Sequence, residues 1–529
     1  MEFNHADLFE GLADAIGDRV AVVCGDRRMT YAELDAHADR LARFLLERGI
    51  GPGAHVGFQL YNGIEYVAGL LAVLKIRAVP VNVNYRYVEA ELRYLYTDSD
   101  IALLLFDAEF GARVAAVAAE CPKLETLVSV GGPSDVKGAV PYEEAVAGRA
   151  AGRDVYTKRS GDDLYIIYTG GTTGMPKGVM WRMHDLFMAF GGGNPQGEPL
   201  SEPGQVVETA RANGPIIMMP AAPLMHGAGQ MGTFVTWFLG GTVVYTRRFD
   251  AAEVLRAVER ERVLTLNITG DAMARPLADE IAAGSYDLSS LFALSSTGAI
   301  LSGTVRERLG ELLPGVMIID SFGTTESGYT ASAVAGSSPE SGLKYQPKNT
   351  ARLAVLDATL TPVKPGSGEM GTVAKAGNIA LGYYNDPEKT AATFVTTPDG
   401  TRWLLTGDLA RVEDDGTILV FGRGSQCINT GGEKVFPEEV EAVLKGHPAV
   451  FDAVVTGLPD PRWGTRVAAV VEPREGVAPT PEDLDAHCRE RLSGYKVPRT
   501  YVFVPRMVRS PSGKADYKWA NQTARAAQP

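Results

Sequence analysis

Strand-like and helix-like patterns alternate along the first 160 residues, and that alternation restricts the chain to very few architectures. The apolar run 20–24 reads as a strand, Gly25-Asp26 as a turn, and 31–48 as a helix with apolar residues at Leu34, Ala38, Leu41, Phe44 and Leu45. A helix over 64–74, a strand over 79–83, a helix over 89–97 and a strand over 101–106 repeat the rhythm, and 251–261, 263–268 and 271–283 continue it as helix, strand, helix. Strands separated by helices pair in parallel and need cover on both faces, so the expected fold class is α/β, with mostly parallel sheets under helices. The polar, Gly-rich stretch 191–214 reads as a long loop or insertion.

Into this frame is set Tyr168-Thr169-Gly170-Gly171-Thr172-Thr173-Gly174-Met175-Pro176-Lys177-Gly178, directly after the apolar run 164–167. Glycines let backbone amides converge on an anion, while threonine hydroxyls and a lysine add donors, so the run reads as a phosphate cradle. It is not the common P-loop, which needs Gly and Lys adjacent; here Met175-Pro176 separates them.

The run resembles the phosphate loop of the adenylate-forming superfamily, which includes acyl-CoA synthetases, firefly luciferase and the adenylation domains of nonribosomal peptide synthetases. Further motifs follow in that superfamily's order: Ala222-Pro223-Leu224-Met225-His226-Gly227, Ser295-Ser296-Thr297-Gly298-Ala299, Ser321-Phe322-Gly323-Thr324-Thr325-Glu326, Thr406-Gly407-Asp408, Gly422-Arg423, Gly431-Gly432-Glu433-Lys434 and Ser510-Pro511-Ser512-Gly513-Lys514. Trp181-Arg182, the run 270–277, the run 428–434 and the run 513–518 are most similar to actinobacterial fatty-acid and sterol-side-chain CoA ligases. Departures are Gly170 and Phe322, where Ser and Tyr are usual, Ile300 in place of Pro, and Ser425 where the hinge commonly has Asp or Lys.

The resemblance implies a large N-terminal domain, residues 1–424, of helix-covered sheets with a β-barrel-like part, and a small α+β lid, residues 425–529. It implies ATP, Mg2+ and coenzyme A as cofactors and a carboxylic acid as substrate. Nucleotide contacts fall to Thr169, Gly170, Gly171, Thr172, Thr173, Gly174 and Lys177, to Gly298 and Ala299, to Asp320, Ser321, Phe322, Gly323, Thr324 and Thr325, and to Asp408 and Arg423. The metal falls to Glu326, the coenzyme A side to Gly432 and Lys434, and catalysis to Lys514, Glu326, His226 and Lys177. Phe322 would stack on the purine, Thr325 bind phosphate, Asp408 at a strand's carboxyl end accept the ribose hydroxyls, and Lys514 be carried in by the lid. Read alone, His226 is as well a core or capping residue, and the apolar segment 231–239 either lines the acyl pocket or is core.

Lid elements are legible as well: Pro437 near the first turn of one helix, a capping-box-like Thr480-Pro481-Glu482-Asp483 opening another that reaches Leu492, and strands over 453–457, 467–471 and 501–504. With 51 basic against 64 acidic residues and no Lys/Arg cluster, a nucleic-acid surface is excluded. No apolar run reaches membrane-spanning length, and the scattered Cys24, Cys121, Cys427 and Cys488 have no metal-ligand spacing, so a cytoplasmic enzyme, monomer or homodimer, with reduced thiols is expected. Three alternatives remain. An amino-acid adenylation domain would want an early pocket Asp, absent from 223–229; a luciferase-like oxygenase shares the adenylate chemistry; a nucleotide-binding regulator would not need Glu326, Asp408, Arg423 and Lys514 together.

Overall fold

Parallel pairing follows the sequence rhythm closely. The computed structural model describes residues 2–170, 175–194, 197–299, 301–333, 343–347, 352–430, 433–509 and 514–527. One sheet of eight strands runs, edge to edge, Gly382–Tyr383, Lys177–Arg182, Leu164–Thr169, Val79–Asn82, His55–Gln59, Ile101–Asp107, Thr126–Val130 and Val140–Pro141. Its last six are mutually parallel; Lys177–Arg182 turns back antiparallel on Leu164–Thr169. Thr169 and Lys177, at the two ends of the cradle sequence, are therefore directly opposite each other.

A second sheet of fourteen strands has two characters. Val20–Cys24, Thr242–Tyr245, Ile217–Pro220, Thr265–Ile268, Ala293–Thr297 and Met317–Thr324 form a parallel stretch. From Met317–Thr324 onward the ladder is antiparallel through Gly328–Ala333, Leu343–Pro347, Ile418–Arg423, Arg402–Val412, Gly371–Ala376 and Arg352–Leu356. Val355, Val373, Ala410 and Ile418 from four of these strands meet in one small core, with Phe322 packed against it. That shared interior is what makes the stretch barrel-like.

Two further stretches, around Thr30 and around Lys75, have structural duties. Thr30 and Glu33 cap a helix, Tyr31–Glu47, reciprocally: the Thr30 hydroxyl accepts from the Glu33 amide at 3.2 Å, and the Glu33 carboxylate from the Thr30 amide at 2.8 Å. Lys75 is fully buried, yet its ammonium is met by Asp35 and Asp39 at 2.6 Å and by Glu10 at 3.3 Å, a pairing that such burial demands.

Three sequence expectations need correction. The stretch 191–214 contains a helix, Gly204–Ala212, whose Val206 and Ala210 are buried against the first helix, His5–Ile16; so few apolar residues left its period unreadable among glycines and prolines. Asp408 is not at a strand end: strand Arg402–Val412 runs through it, kinked at Gly407, whose φ is +79°. The helix opened by Thr480 stops at Arg489, short of Leu492.

The C-terminal region has its own sheet, Val450–Asp460, Gly464–Pro473 and Thr500–Phe503, beside a hairpin of Ile428–Thr430 and Glu433–Val435. Strict alternation buries Val455, Val467 and Val471 under helices Pro437–Lys445 and Pro481–Arg489, and Val454, Leu458 and Val470 under helix Tyr517–Ala526. All four cysteines are unpaired thiols, and among the described residues no helix is long and apolar enough to cross a membrane.

Candidate active site

A cavity of about 670 Å³ opens where strand ends of both large sheets face the C-terminal region. Thr169, Gly170 and Lys177 enter from the cradle hairpin, Gly298 and Ala299 from the loop after strand Ala293–Thr297, and Asp320, Ser321, Phe322, Gly323, Thr324, Thr325 and Glu326 from the end of Met317–Thr324 and the turn beyond it. Asp408 comes from the antiparallel stretch, and Lys514 from the far side. Two separate motifs of the first three hundred residues and three later ones thus converge on one space.

Local order around these groups is dense. The turn carrying Thr324, Thr325 and Glu326 is gripped from three directions: the Trp181 indole donates to the Thr325 carbonyl at 3.0 Å, the Ala380 amide to the Glu326 carbonyl at 3.1 Å, and the buried Lys375 ammonium to the carbonyls of Ser327 and Tyr329 at 2.6 and 2.9 Å. Burial brings the Lys375 ammonium down to about 8. Lys177 pairs with Asp386 at 3.1 Å, and its ammonium lies 5.5 Å from the centre of the Tyr383 ring. The Tyr383 hydroxyl donates to Glu326 at 2.9 Å. Phe322 packs at 5.0 Å, tilted 37°, against Tyr345, so the cavity has an aromatic wall rather than a single ring. Burial pushes the Asp320 carboxyl up to about 6, against the pull of Arg306 at 3.5 Å.

Asp408 and Arg423 are register partners on adjacent antiparallel strands, which brings two residues fifteen positions apart side by side. Of the Arg423 side chain nothing is described. Gly171, Thr172, Thr173, Gly174 and Gly432 lie outside the described residues. His226 and Lys434 are not among the residues lining the cavity: His226 is the N-cap of helix Gly227–Phe238, and Lys434 is exposed on the short hairpin. Met231, Phe234, Trp237 and Phe238 are buried and line none of this cavity; Met231, Phe234 and Phe238 instead border a small apolar recess with His5 and Phe187.

Lys514 is placed by a small anchor. Residues Arg509 and Ala515 form a backbone bridge that closes its loop, and the Arg509 guanidinium grips Asp452 through two bonds of 2.7 and 2.6 Å. Burial pushes the Asp452 carboxyl up, but Lys445 and Arg509 outweigh it and hold the group below its usual range. Sequence reasoning missed Tyr345, Lys375, Tyr383, Glu438, Glu441, Lys445 and Arg509. Only Tyr383 had a local signal, since Gly382-Tyr383-Tyr384-Asn385-Asp386-Pro387 ends in an Asp-Pro that reads as a helix start, and Asp386 does cap helix Pro387–Thr393.

Thr169, Gly170 and Lys177 of the cradle, an aromatic wall, the carboxylates of Asp408 and Glu326, and a second lysine, Lys514, facing one space define a nucleotide-binding enzyme. The chain belongs to the AMP-binding enzyme family, whose pattern it matches over residues 9–384, with the AMP-binding enzyme C-terminal domain matching over 439–514. It is 46% identical to a medium/long-chain-fatty-acid–CoA/3-oxocholest-4-en-26-oate–CoA ligase of Mycobacterium tuberculosis, over 99% of this chain and 96% of that one. It is 44% identical to a 3-oxocholest-4-en-26-oate–CoA ligase of Rhodococcus rhodochrous, over 98% and 96%. Among solved structures it is similar to ATP-bound MatB from Rhodopseudomonas palustris, with a TM-score of 0.80 and 25% identity over 98% of each chain. An anthranilate CoA ligase in complex with anthranoyl-AMP shares the fold, with a TM-score of 0.84 and 24% identity over 99% of this chain and 98% of that one.

Proposed function

We propose that the protein is an ATP-dependent acyl-CoA synthetase that activates a hydrophobic carboxylic acid and passes its acyl group to coenzyme A. The observation that carries this is the single cavity in which Thr169, Lys177, Asp320, Thr325, Glu326, Asp408 and Lys514 meet. Support for the acceptor and for a fatty or sterol-derived acid comes from the relatives, both named CoA ligases of such acids.

The chemistry has two halves. A carboxylate oxygen attacks the α-phosphorus of ATP, and the bond to the bridging oxygen of pyrophosphate breaks, leaving acyl-adenylate. The coenzyme A sulfur then attacks the activated carbonyl, its proton is lost, and AMP departs. No covalent bond to the protein is needed, so the residues act by alignment and charge neutralisation. Lys177 and Lys514 face the cavity as cations toward the phosphates, Asp408 toward the ribose, and Phe322 with Tyr345 toward the purine. The carboxylate of Glu326 beside the Thr325 hydroxyl is a hard oxygen donor set that suits Mg2+, and the metal would screen phosphate charge. His226 belongs in this reading to the acid's approach in the first half, and Gly432 and Lys434 to the thiol in the second.

We place the domain boundary at 424/425, where the short 3-10 turn Gly424–Gln426 separates the barrel-like stretch from the small hairpin. Four unpaired thiols suit a cytoplasmic enzyme. Rotation near Ser425 would withdraw Lys514 once acyl-adenylate has formed. Replacing Lys514→Ala is expected to slow acid-dependent pyrophosphate release by roughly 10²- to 10³-fold, the usual loss of one transition-state charge donor. Supplied acyl-adenylate and coenzyme A should still give product near the normal rate. Equal loss of both half-reactions, or of neither, would overturn the reading, as would acetate outranking every medium-chain or larger acid in kcat/KM.

A further inference from the structure

Two of the groups assigned above come from distant motifs: Lys177 from the cradle hairpin, Glu326 from the turn after strand Met317–Thr324. One side chain touches both. The Tyr383 hydroxyl donates to Glu326 Oε1 at 2.9 Å, and Lys177 Nζ stands 5.5 Å from the centre of its ring. Tyr383 is only 7% exposed and itself lines the cavity.

Its own placement is over-determined. Strand Gly382–Tyr383 pairs with the strand that begins at Lys177, with Tyr383 opposite Val179, and the next amide, Tyr384, donates to the Gly178 carbonyl at 2.7 Å. Gly382 has a φ of +149°, and a Cβ there would come within 2.4 Å of Thr390, so no side chain fits before the tyrosine. The Tyr383 amide donates to the Thr390 hydroxyl at 2.9 Å, and Phe394 closes its ring edge-on at 5.9 Å. The same short segment holds Glu326 again through the Ala380 amide, and ends in Asp386, the ion partner of Lys177.

We infer that Tyr383 is a positioning residue that couples the two: its hydroxyl occupies one Glu326 oxygen so that the other faces the cavity, and its ring face holds the Lys177 ammonium over the phosphate site. A cation over an aromatic face and a hydrogen bond to a carboxylate are mutually compatible, because donation to the carboxylate enriches the ring's electron density. Asp386 supplies the counter-charge that phosphate replaces when nucleotide enters. The inference rests on the roles of Lys177 and Glu326 proposed above.

Two variants of the full chain separate the two contacts. Tyr383→Phe keeps the ring and removes the hydroxyl; Tyr383→Leu removes both. The readouts are equilibrium binding of the non-cleavable probe α,β-methylene-ATP, with and without Mg2+, and the Mg2+ concentration that half-saturates pyrophosphate release. The phenylalanine variant should bind the metal-free nucleotide within about twofold of the parent but need roughly tenfold more Mg2+, the effect of one hydrogen bond to a charged group. The leucine variant should in addition lose roughly fivefold in metal-free nucleotide binding. In a Glu326→Gln background, Tyr383→Phe should add no further Mg2+ shift. An unchanged Mg2+ requirement in Tyr383→Phe, or an equal shift with and without Glu326, would overturn the coupling. Failure of the functional reading looks different: the parent enzyme would release no pyrophosphate with any carboxylic acid.

Discussion

Asp320 faces the cavity with its carboxyl 5% exposed and its Oδ2 lacking a hydrogen-bond partner, and burial lifts it from 3.8 to about 6. A carboxyl whose folded value is raised binds its proton more tightly folded than unfolded, so it takes stability away as pH rises through that window, and the full penalty holds above pH 6. A shift of that size corresponds to about 2–3 kcal/mol. Asp320→Asn should therefore raise the denaturation midpoint of the ligand-free protein at pH 7.5, with the advantage shrinking to nothing near pH 4. Parallel pH profiles for variant and parent would show that Arg306 at 3.5 Å already compensates the charge. Single residues of this kind were partly legible. The sequence order of motifs placed Thr325, Glu326 and Asp408 in one site, because each motif carries its chemistry in adjacent letters. Lys375 and Arg509 were invisible, since a buried lysine bonded to two carbonyls and an arginine gripping Asp452 depend on contacts made across 48 and 57 positions.

Elements were the easiest level to read. Strands Val20–Cys24 and Ile101–Asp107 and helices Ile64–Lys75 and Ala251–Glu261 emerge within a residue or two of their expected ends, because each carries an unbroken period and a capping or turn residue at its edge. What periodicity could not say is which strands adjoin. That is set by groups such as Asn82, 4% exposed, whose side chain donates to the carbonyls of Tyr168 at 2.8 Å and Met225 at 2.7 Å and accepts from the Tyr168 amide at 2.7 Å. One amide thus ties strand Val79–Asn82 to the strand feeding the cradle and to the loop before His226. Asn82→Ala would strand three buried backbone groups, so a loss of about 3 kcal/mol or more is expected in denaturant unfolding. Cradle function should fall with it, seen as weaker ATP binding at a temperature where the variant is still folded. A loss below about 1 kcal/mol would mean that water replaces the side chain.

At the scale of the whole molecule, the seam between the large body and the proposed lid is charged and buried. Lys445, on the lid's first helix, lies 3.7 Å from Asp271 of the body and 3.7 Å from Asp452 of the lid, and all three side chains are under 9% exposed. Parting the two bodies would leave neither charge stranded. Asp271 keeps Arg275 at 3.6 Å and the Ser302 amide and hydroxyl at 2.8 and 3.1 Å, while Lys445 keeps Asp452. Such a pair can favour one lid orientation without making departure from it prohibitive, since the usual cost of a broken buried pair, about 3–5 kcal/mol, falls on charges left without a partner. The orientation it favours is the one in which Lys514 lines the cavity. Lys445→Met preserves the apolar stem and removes the charge; Arg509 continues to hold Asp452, so the lid's own fold should survive. Acid-dependent pyrophosphate release is then expected to slow about five- to tenfold, equivalent to about 1 kcal/mol of lost bias toward that orientation. Conversion of supplied acyl-adenylate with coenzyme A should stay within about twofold of the parent, because in the proposed cycle that half-reaction uses the lid after it has moved. Limited proteolysis at residues 424–426 should quicken in step with the first effect. Slowing of both half-reactions together would assign Lys445 to lid stability alone, and no slowing in either would remove the seam from the control of lid orientation.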